Sequence, residues 1–320
     1  MKSTLHLLLL VYLAMTPNAL AEDQSMHLLK KMNHAANNVN YDGVFLHIDE
    51  KHIHTLRVIH KVQNGSVHER LYALNGVPRE VIRDAERVWC FMPEKQMGHA
   101  GLRSDKKTGF PGFMVNNLTV LAKNYIISTG GLDRIADRAA TRLQILPRDD
   151  LRYGYELWAD EKTGLLLKSA LIDNASSVIE QYMFAMIEIG GDIPDSALLP
   201  MTKKDALEWH SNKKPAVYTP IKNSDWQFSA LPKGYRLVNI FQRSMPMDTQ
   251  ALEHMILSDG LAGVSVFIEK MNDPTSEVGV DQMGAVNSYT RVIDEYLITA
   301  IGEVPEAAIM AIGNALERKP

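Results

Sequence analysis

The chain has 320 residues, of which 46% are hydrophobic and 22% charged, a balance that excludes intrinsic disorder. A formal net charge of −4 argues against a nucleic-acid partner, which calls for a basic excess or a basic stripe. Cys90 is the single cysteine, which excludes an internal disulfide and offers no thiol for a lipid anchor near the N-terminus.

Residues 1–21 read as a signal peptide. Lys2 supplies the positive start, Leu5 to Leu13 the apolar run, and Ala19-Leu20-Ala21 the small-x-small end read by signal peptidase. The run is too short to span a bilayer, which needs about 20 apolar residues, so a soluble exported protein starting near Glu22 is expected. Export also removes freely supplied ATP and reduced nicotinamide, which disfavours kinase-like and dehydrogenase-like roles.

Ser25 to Asn38 predicts a helix with Leu28, Leu29, Met32, Ala35 and Ala36 on one face. Short alternating segments follow at Gly43–Ile48, Ile53–Val62, Val67–Leu74, Val77–Arg83 and Val88–Met92. Asn64-Gly65 and Asn75-Gly76 between them supply the positive φ angles of tight hairpin turns. Gly98 to Gly112 shows neither period and carries Arg103, Lys106 and Lys107, so it reads as a mobile basic loop. A short helix around Leu118 to Tyr125 precedes strands at Ile135–Ile145, Arg152–Ala159, Leu165–Ile172 and Val178–Glu188. Consecutive hairpins make an antiparallel meander, and a sheet this long curls into a groove or cavity.

The prolines at 194, 200, 215 and 220 mark residues 191–223 as a linker, with a helical stretch expected around Lys203 to His210. The chain therefore divides into an N-terminal unit, 22–190, and a C-terminal unit, 224–320. The second reads as strands at Tyr235–Arg243, Leu252–Leu257, Leu261–Lys270, Ser288–Ile293 and Tyr296–Gly302. Pro305 then opens a helix with Ala308, Ile309, Ile312 and Leu316 on one face. The fold class is α+β.

Catalytic machinery is hard to find. His68-Glu69-Arg70-Leu71-Tyr72 has Tyr72 where the second ligand of a zinc-protease helix must stand, and the segment reads as strand. Gly263-Val264-Ser265-Val266-Phe267 lacks the second glycine of a nucleophile elbow, so Ser265 reads as structural. Cys90 has no basic sequence neighbour to lower its pKa and reads as a buried thiol. His47, His52, His54, His60 and His68 crowd one hairpin region. His52 and His54 are close enough to share an ion, but with no accompanying acidic or cysteine ligand the group reads as polar surface. No catalytic, cofactor or metal-binding residues are therefore expected.

Longer motifs are more specific. Asn40-Tyr41-Asp42-Gly43-Val44-Phe45, Arg57, His60, the run Glu69 to Arg83 and Val88-Trp89-Cys90-Phe91 lie in the first unit, with Tyr153-Gly154-Tyr155-Glu156-Leu157-Trp158 and Thr163 to Ser169. Ser258 to Ile268 and Gly302-Glu303-Val304-Pro305 lie in the second. In this order they resemble the RseB/MucB family of periplasmic sigma-E regulators, across essentially the whole chain after the leader. The resemblance implies an N-terminal lipid-sensing domain similar to the LolA/LolB lipoprotein carriers, an unclosed antiparallel β-barrel with helices. It also implies a smaller C-terminal partner-binding domain of antiparallel sheet and helix.

The implied role is negative regulation. Such a protein holds the periplasmic part of a membrane-spanning, RseA/MucA-like anti-sigma factor and shields it from the site-one protease. Lipopolysaccharide or another acylated lipid, felt as envelope stress, releases it. Arg103, Lys106 and Lys107 are the expected lipid headgroup contacts, with a solvated charged loop as the alternative; partner-binding residues and homo-oligomer formation stay open. A periplasmic lipid or lipoprotein carrier and a purely structural envelope protein are the other classes.

Overall fold

The computed structural model describes residues 17–103, 118–211, 217–244, 252–271 and 278–320. Helix α1 (Pro17–Asn38) leads into strands β1 (Tyr41–Ile48), β2 (Ile53–Gln63), β3 (Ser66–Ala73), β4 (Glu80–Arg83), β5 (Arg87–Met92) and β6 (Met97–Leu102). Helix α2 (Leu118–Asn124) precedes β7 (Tyr125–Ile135), β8 (Arg138–Pro147), β9 (Gly154–Asp160), β10 (Leu166–Ile172) and β11 (Val178–Ile189). With β12 (Glu208–Ser211) these strands form one 12-stranded sheet in the order β12-β6-β5-β4-β3-β2-β1-β11-β10-β9-β8-β7. Every pairing is antiparallel except that of β12 with β6.

The sheet curls without closing. Tyr41 and Phe45 of β1 share one buried cluster with Ile135 of β7 and Ala140 of β8, although those strands lie far apart in the sheet order. Helix α1 fills the concave side, burying Leu29, Met32 and Ala35 at the helical spacing the sequence predicts. At Gly43 a Cβ would meet Met186 O and Phe184 Cε1 at 2.8 Å, so only glycine fits the crowded crossing of β1 over β11. Among the described residues, no helix is long and apolar enough to cross a membrane.

Local chemistry explains where the elements depart from expectation. Asn64 and Gly65, at φ 52° and 72°, make the expected two-residue turn joining Gln63 to Ser66. Asn75-Gly76 instead opens a wider loop: Asn75 Oδ1 accepts from Thr55 N at 2.7 Å, its Nδ2 donates to Ile53 O at 2.9 Å, and β4 starts only at Glu80, beyond Pro78. The β7–β8 hairpin turns on Ala136 and Asp137, at φ 49° and 62°; with no glycine or asparagine there, the sequence hid both the turn and β7. The stretch expected as a loop from Gly98 begins as strand β6, paired with β5. The helix expected at Lys203 to His210 is a 3-10 turn, Lys204–Ala206, followed by β12, which lays Trp209 over Gly98 and edge-on to Phe91 at 5.2 Å.

A second, 7-stranded sheet runs β13 (Val217–Pro220), β15 (Arg236–Ser244), β16 (Leu252–Ser258), β17 (Gly263–Lys270), β20 (Tyr296–Gly302), β19 (Val286–Ile293) and β18 (Gly279–Met283). In sequence, β14 (Trp226–Phe228) comes between β13 and β15 but stands outside this sheet. Helix α3 (Glu306–Ala315) buries Ala308, Ile309 and Ile312 against Val266, Ile298 and Ala300, and β21 (Leu316–Arg318) pairs with β14. The architecture is thus an α+β arrangement of a large unclosed sheet and a smaller sheet with its helix, as the sequence predicts.

Candidate functional site

Register decides what faces the hollow of the large sheet. Across β1, β2 and β3 the opposed pairs Phe45–Leu56, His47–His54, Leu56–Ala73 and Val58–Leu71 place alternate residues on the concave face, and Leu71–Val81 and Glu69–Arg83 continue it onto β4. Beyond the part filled by α1, this face encloses a cavity of about 530 Å³. Its wall is apolar at Leu56, Leu71, Ala73, Val77 and Val81, while His47, His54, Arg79 and Arg83 bring nitrogen donors to the same space. That combination suits an amphiphile: each CH₂ buried on such a wall contributes about 0.8 kcal/mol, and guanidinium groups bind phosphate or carboxylate with forked geometry.

The polar groups of the cavity are braced from behind. Arg83 Nη1 donates to Glu69 Oε2 at 3.0 Å, and Glu69 Oε1 lies 2.9 Å from His60 Nδ1. His60 is fully buried and stacks on Tyr41 at 4.6 Å, so it is a core histidine rather than the surface group expected. Burial and then the Glu69 charge push the Tyr41 phenol well above its ordinary range. His47 Nε2 sits 2.6 Å from Glu180 Oε1, which also accepts from Tyr182 Oη at 2.6 Å; the His47 bond holds the Glu180 carboxyl below its usual range. On the convex side Arg57 forks onto Asp42 at 2.9 and 2.8 Å and donates to Tyr72 Oη at 3.2 Å, which accounts for the Asp42 and Arg57 of the sequence motifs.

A second polar constellation joins the two sheets. Arg152, fully buried, donates from Nε to Asp259 Oδ2 at 2.6 Å, from Nη2 to Lys233 O at 2.5 Å and from Nη1 to Asp149. Asp259 also accepts from Tyr125 Oη at 2.9 Å, and its carbonyl accepts from Asn124 Nδ2 at 2.9 Å. Burial pulls the Arg152 guanidinium down, yet Asp149 and Asp259 outweigh it and leave it raised. Tyr235 lies under Arg152 at 4.7 Å and donates to Leu151 O at 3.1 Å. Asn287 Nδ2 reaches Tyr153 Oη at 3.1 Å and Val304 O at 2.8 Å, so Tyr153 and Ser258-Asp259-Gly260 serve one interface.

Of the residues expected to meet a lipid headgroup, Arg103 alone lies among the described residues. Arg103 is buried at the end of β6, with Nη1 donating to Val67 O at 2.8 Å and Asp84 O at 3.0 Å; its guanidinium ties β3 to the β4–β5 turn instead of facing a ligand. Lys106 and Lys107 lie outside the described residues. Among the described residues, the arginines at the cavity are Arg79 and Arg83; Arg83 was hidden because nothing in the sequence says which face of β4 is concave, and Arg79 because it lies in the loop before β4. Cys90 is half-buried, opposite His99 and Val81. Ser265 accompanies His254 Nε2 at 3.0 Å within the β16–β17 pair, and His254 Nδ1 has no hydrogen-bond partner among the described residues.

The large unclosed sheet followed by a small sheet with its helix has known counterparts. A family model described as MucB/RseB N-terminal domain matches residues 24–202, and one described as MucB/RseB C-terminal domain matches residues 220–317. The sigma factor AlgU regulatory protein MucB of Pseudomonas aeruginosa is 30% identical over 312 residues, covering 95% of this chain and 94% of that protein. The sigma-E factor regulatory protein RseB of Escherichia coli K12 is 27% identical over 315 residues, covering 95% and 94%. Among solved structures, the complex of Pseudomonas aeruginosa MucA/MucB matches with a TM-score of 0.71 at 26% identity, covering 93% of this chain and 99% of that one. A crystal structure of MucB shares the fold, with a TM-score of 0.62 at 23% identity, covering 93% and 98%.

Proposed function

The chain belongs to the MucB/RseB family, and from that premise we propose that it is a periplasmic negative regulator of sigma-E activity. It binds the periplasmic part of a membrane-spanning anti-sigma factor and shields it from site-one proteolysis; it carries out no catalysis of its own. The observation that carries this reading is the likeness across both units, 93% of the chain, to a structure described as a MucA/MucB complex.

In this reading the first unit, residues 22–190, senses an acylated lipid such as lipopolysaccharide, and the second, 224–320, contributes to holding the partner, with 191–223 between them. The cavity of about 530 Å³ supplies the apolar wall for acyl chains, and Arg79 and Arg83 supply headgroup contacts. The buried Arg152–Asp259 contact ties the first unit to the second. A carrier of lipid or lipoprotein would use the same cavity but leaves the second unit and its buried attachment without a purpose.

A protection assay tests the regulator role. With the anti-sigma factor's periplasmic segment and the site-one protease mixed, adding this protein should slow cleavage in proportion to complex formed, and lipopolysaccharide should restore it. Cleavage at an unchanged rate in the presence of the protein would overturn the proposal.

A further inference from the structure

The turn between β1 and β2 carries a second cluster of donors. Asp49, His52 and His54 each bring one ligand atom, all within 4.8 Å of one another. Asp49 Oδ1 lies 3.4 Å from His52 Nδ1, and the His52 and His54 rings stack 5.7 Å apart. The sequence alone placed the two histidines near each other but showed no acidic ligand, because Asp49 joins them only when the turn closes. Closure comes from the main chain: Asp49 N donates to His52 O at 3.1 Å, and Asp49 Oδ1 accepts from Lys51 N and His52 N at 2.8 Å each.

Two imidazoles and a carboxylate are a donor set for Zn²⁺ with one position left for water. In a tetrahedral site of that kind the ligand atoms stand about 3.4 Å apart, so small rotations of three side chains close this cluster on an ion. Asp49 is half-buried and both histidines are exposed, which leaves the ion a path in. His54 also lines the cavity and stacks on His47 at 5.8 Å, and His47 is itself held by Glu180.

We propose that Asp49, His52 and His54 form a site for a divalent transition metal of the zinc class at the rim of the cavity. Isothermal titration of the untagged protein with Zn²⁺ tests this, beside the variants D49N, H52A and H54A and a control, H99A/H210A, which removes the neighbouring pair of tilted imidazoles on β6 and β12. The expected result is one ion per chain, bound about tenfold or more weakly in each single variant and unchanged in the control, with melting temperatures of the metal-free proteins equal. Absence of saturable binding, binding as tight in H52A and H54A as in the wild type, or binding weakened in H99A/H210A would each overturn the assignment.

Discussion

Arg152 and Asp259, 107 residues apart in sequence, form an ion pair at 2.6 Å in which both residues are fully buried. Removing one partner of such a pair strands a charge in the interior, at a cost of about 3–5 kcal/mol, whereas replacing both by apolar groups restores much of the loss. R152M is therefore expected to lower the melting temperature sharply and to split unfolding into two transitions, one per sheet. R152M/D259N should recover part of the loss, because an amide removes the stranded charge and keeps an oxygen for the donors that Asp259 serves. Calorimetry of the two variants checks this; a single unshifted transition in R152M would show that the pair does not couple the sheets.

Gly234 sits at φ 90° in the Lys233 turn, and a Cβ there would run into Asn124 and Arg152 Nη2. G234A combines left-handed strain with overpacking and should cost about 2–4 kcal/mol in denaturant unfolding. Loss of that size at a surface-type turn, alongside a G65A control whose added Cβ meets open space, separates the docking contact from conformational strain alone.

The cavity predicts a charge and a shape dependence of lipid binding. L56W fills the wall and R79E reverses the charge at the rim; each should weaken binding of a fluorescent acylated phosphate about tenfold, since a hydrogen bond to a charged group contributes about 1.5–3 kcal/mol. R103A, by contrast, should lower stability more than it changes lipid affinity, because its donors serve Val67 O and Asp84 O. Equal affinity of wild type, L56W and R79E in fluorescence titrations would remove the cavity as the lipid site.

His254 is buried against Phe267 at 4.4 Å, and burial followed by the nearby Arg243 charge depresses its pKa; Tyr218 and Ser265 are its other neighbours. A depressed folded-state pKa means the unfolded chain binds the proton more readily. Stability from this residue is complete above the ordinary histidine pKa, about 6.5, and falls as pH drops from there toward the folded value. H254F should flatten that acid-side loss in urea titrations taken between neutral and mildly acidic pH. An unchanged slope would assign the loss to other groups.

Much of the fold was legible because alternation and turn chemistry are local. Asn64-Gly65, the faces of α1 and α3, and the strands from β8 to β11 follow from neighbours in sequence. Features that depend on distant partners were hidden: Ala136-Asp137 adopts a turn that its residue types disfavour, and β12 is a strand only because β6 offers an edge. The site was less legible than the fold for the same reason. Arg103 looked like a loop cation until Val67 and Asp84 were brought to it, while Arg83 became a cavity residue only through the β3–β4 register and Arg79 through the loop whose Arg79 carbonyl accepts from Ala73 N.

Isothermal titration of this protein with the periplasmic segment of its anti-sigma factor, with and without lipopolysaccharide, tests the regulator role. Saturable binding that weakens when lipopolysaccharide is present is the predicted result. No binding in either condition would contradict the regulator role and leave a lipid carrier as the better description.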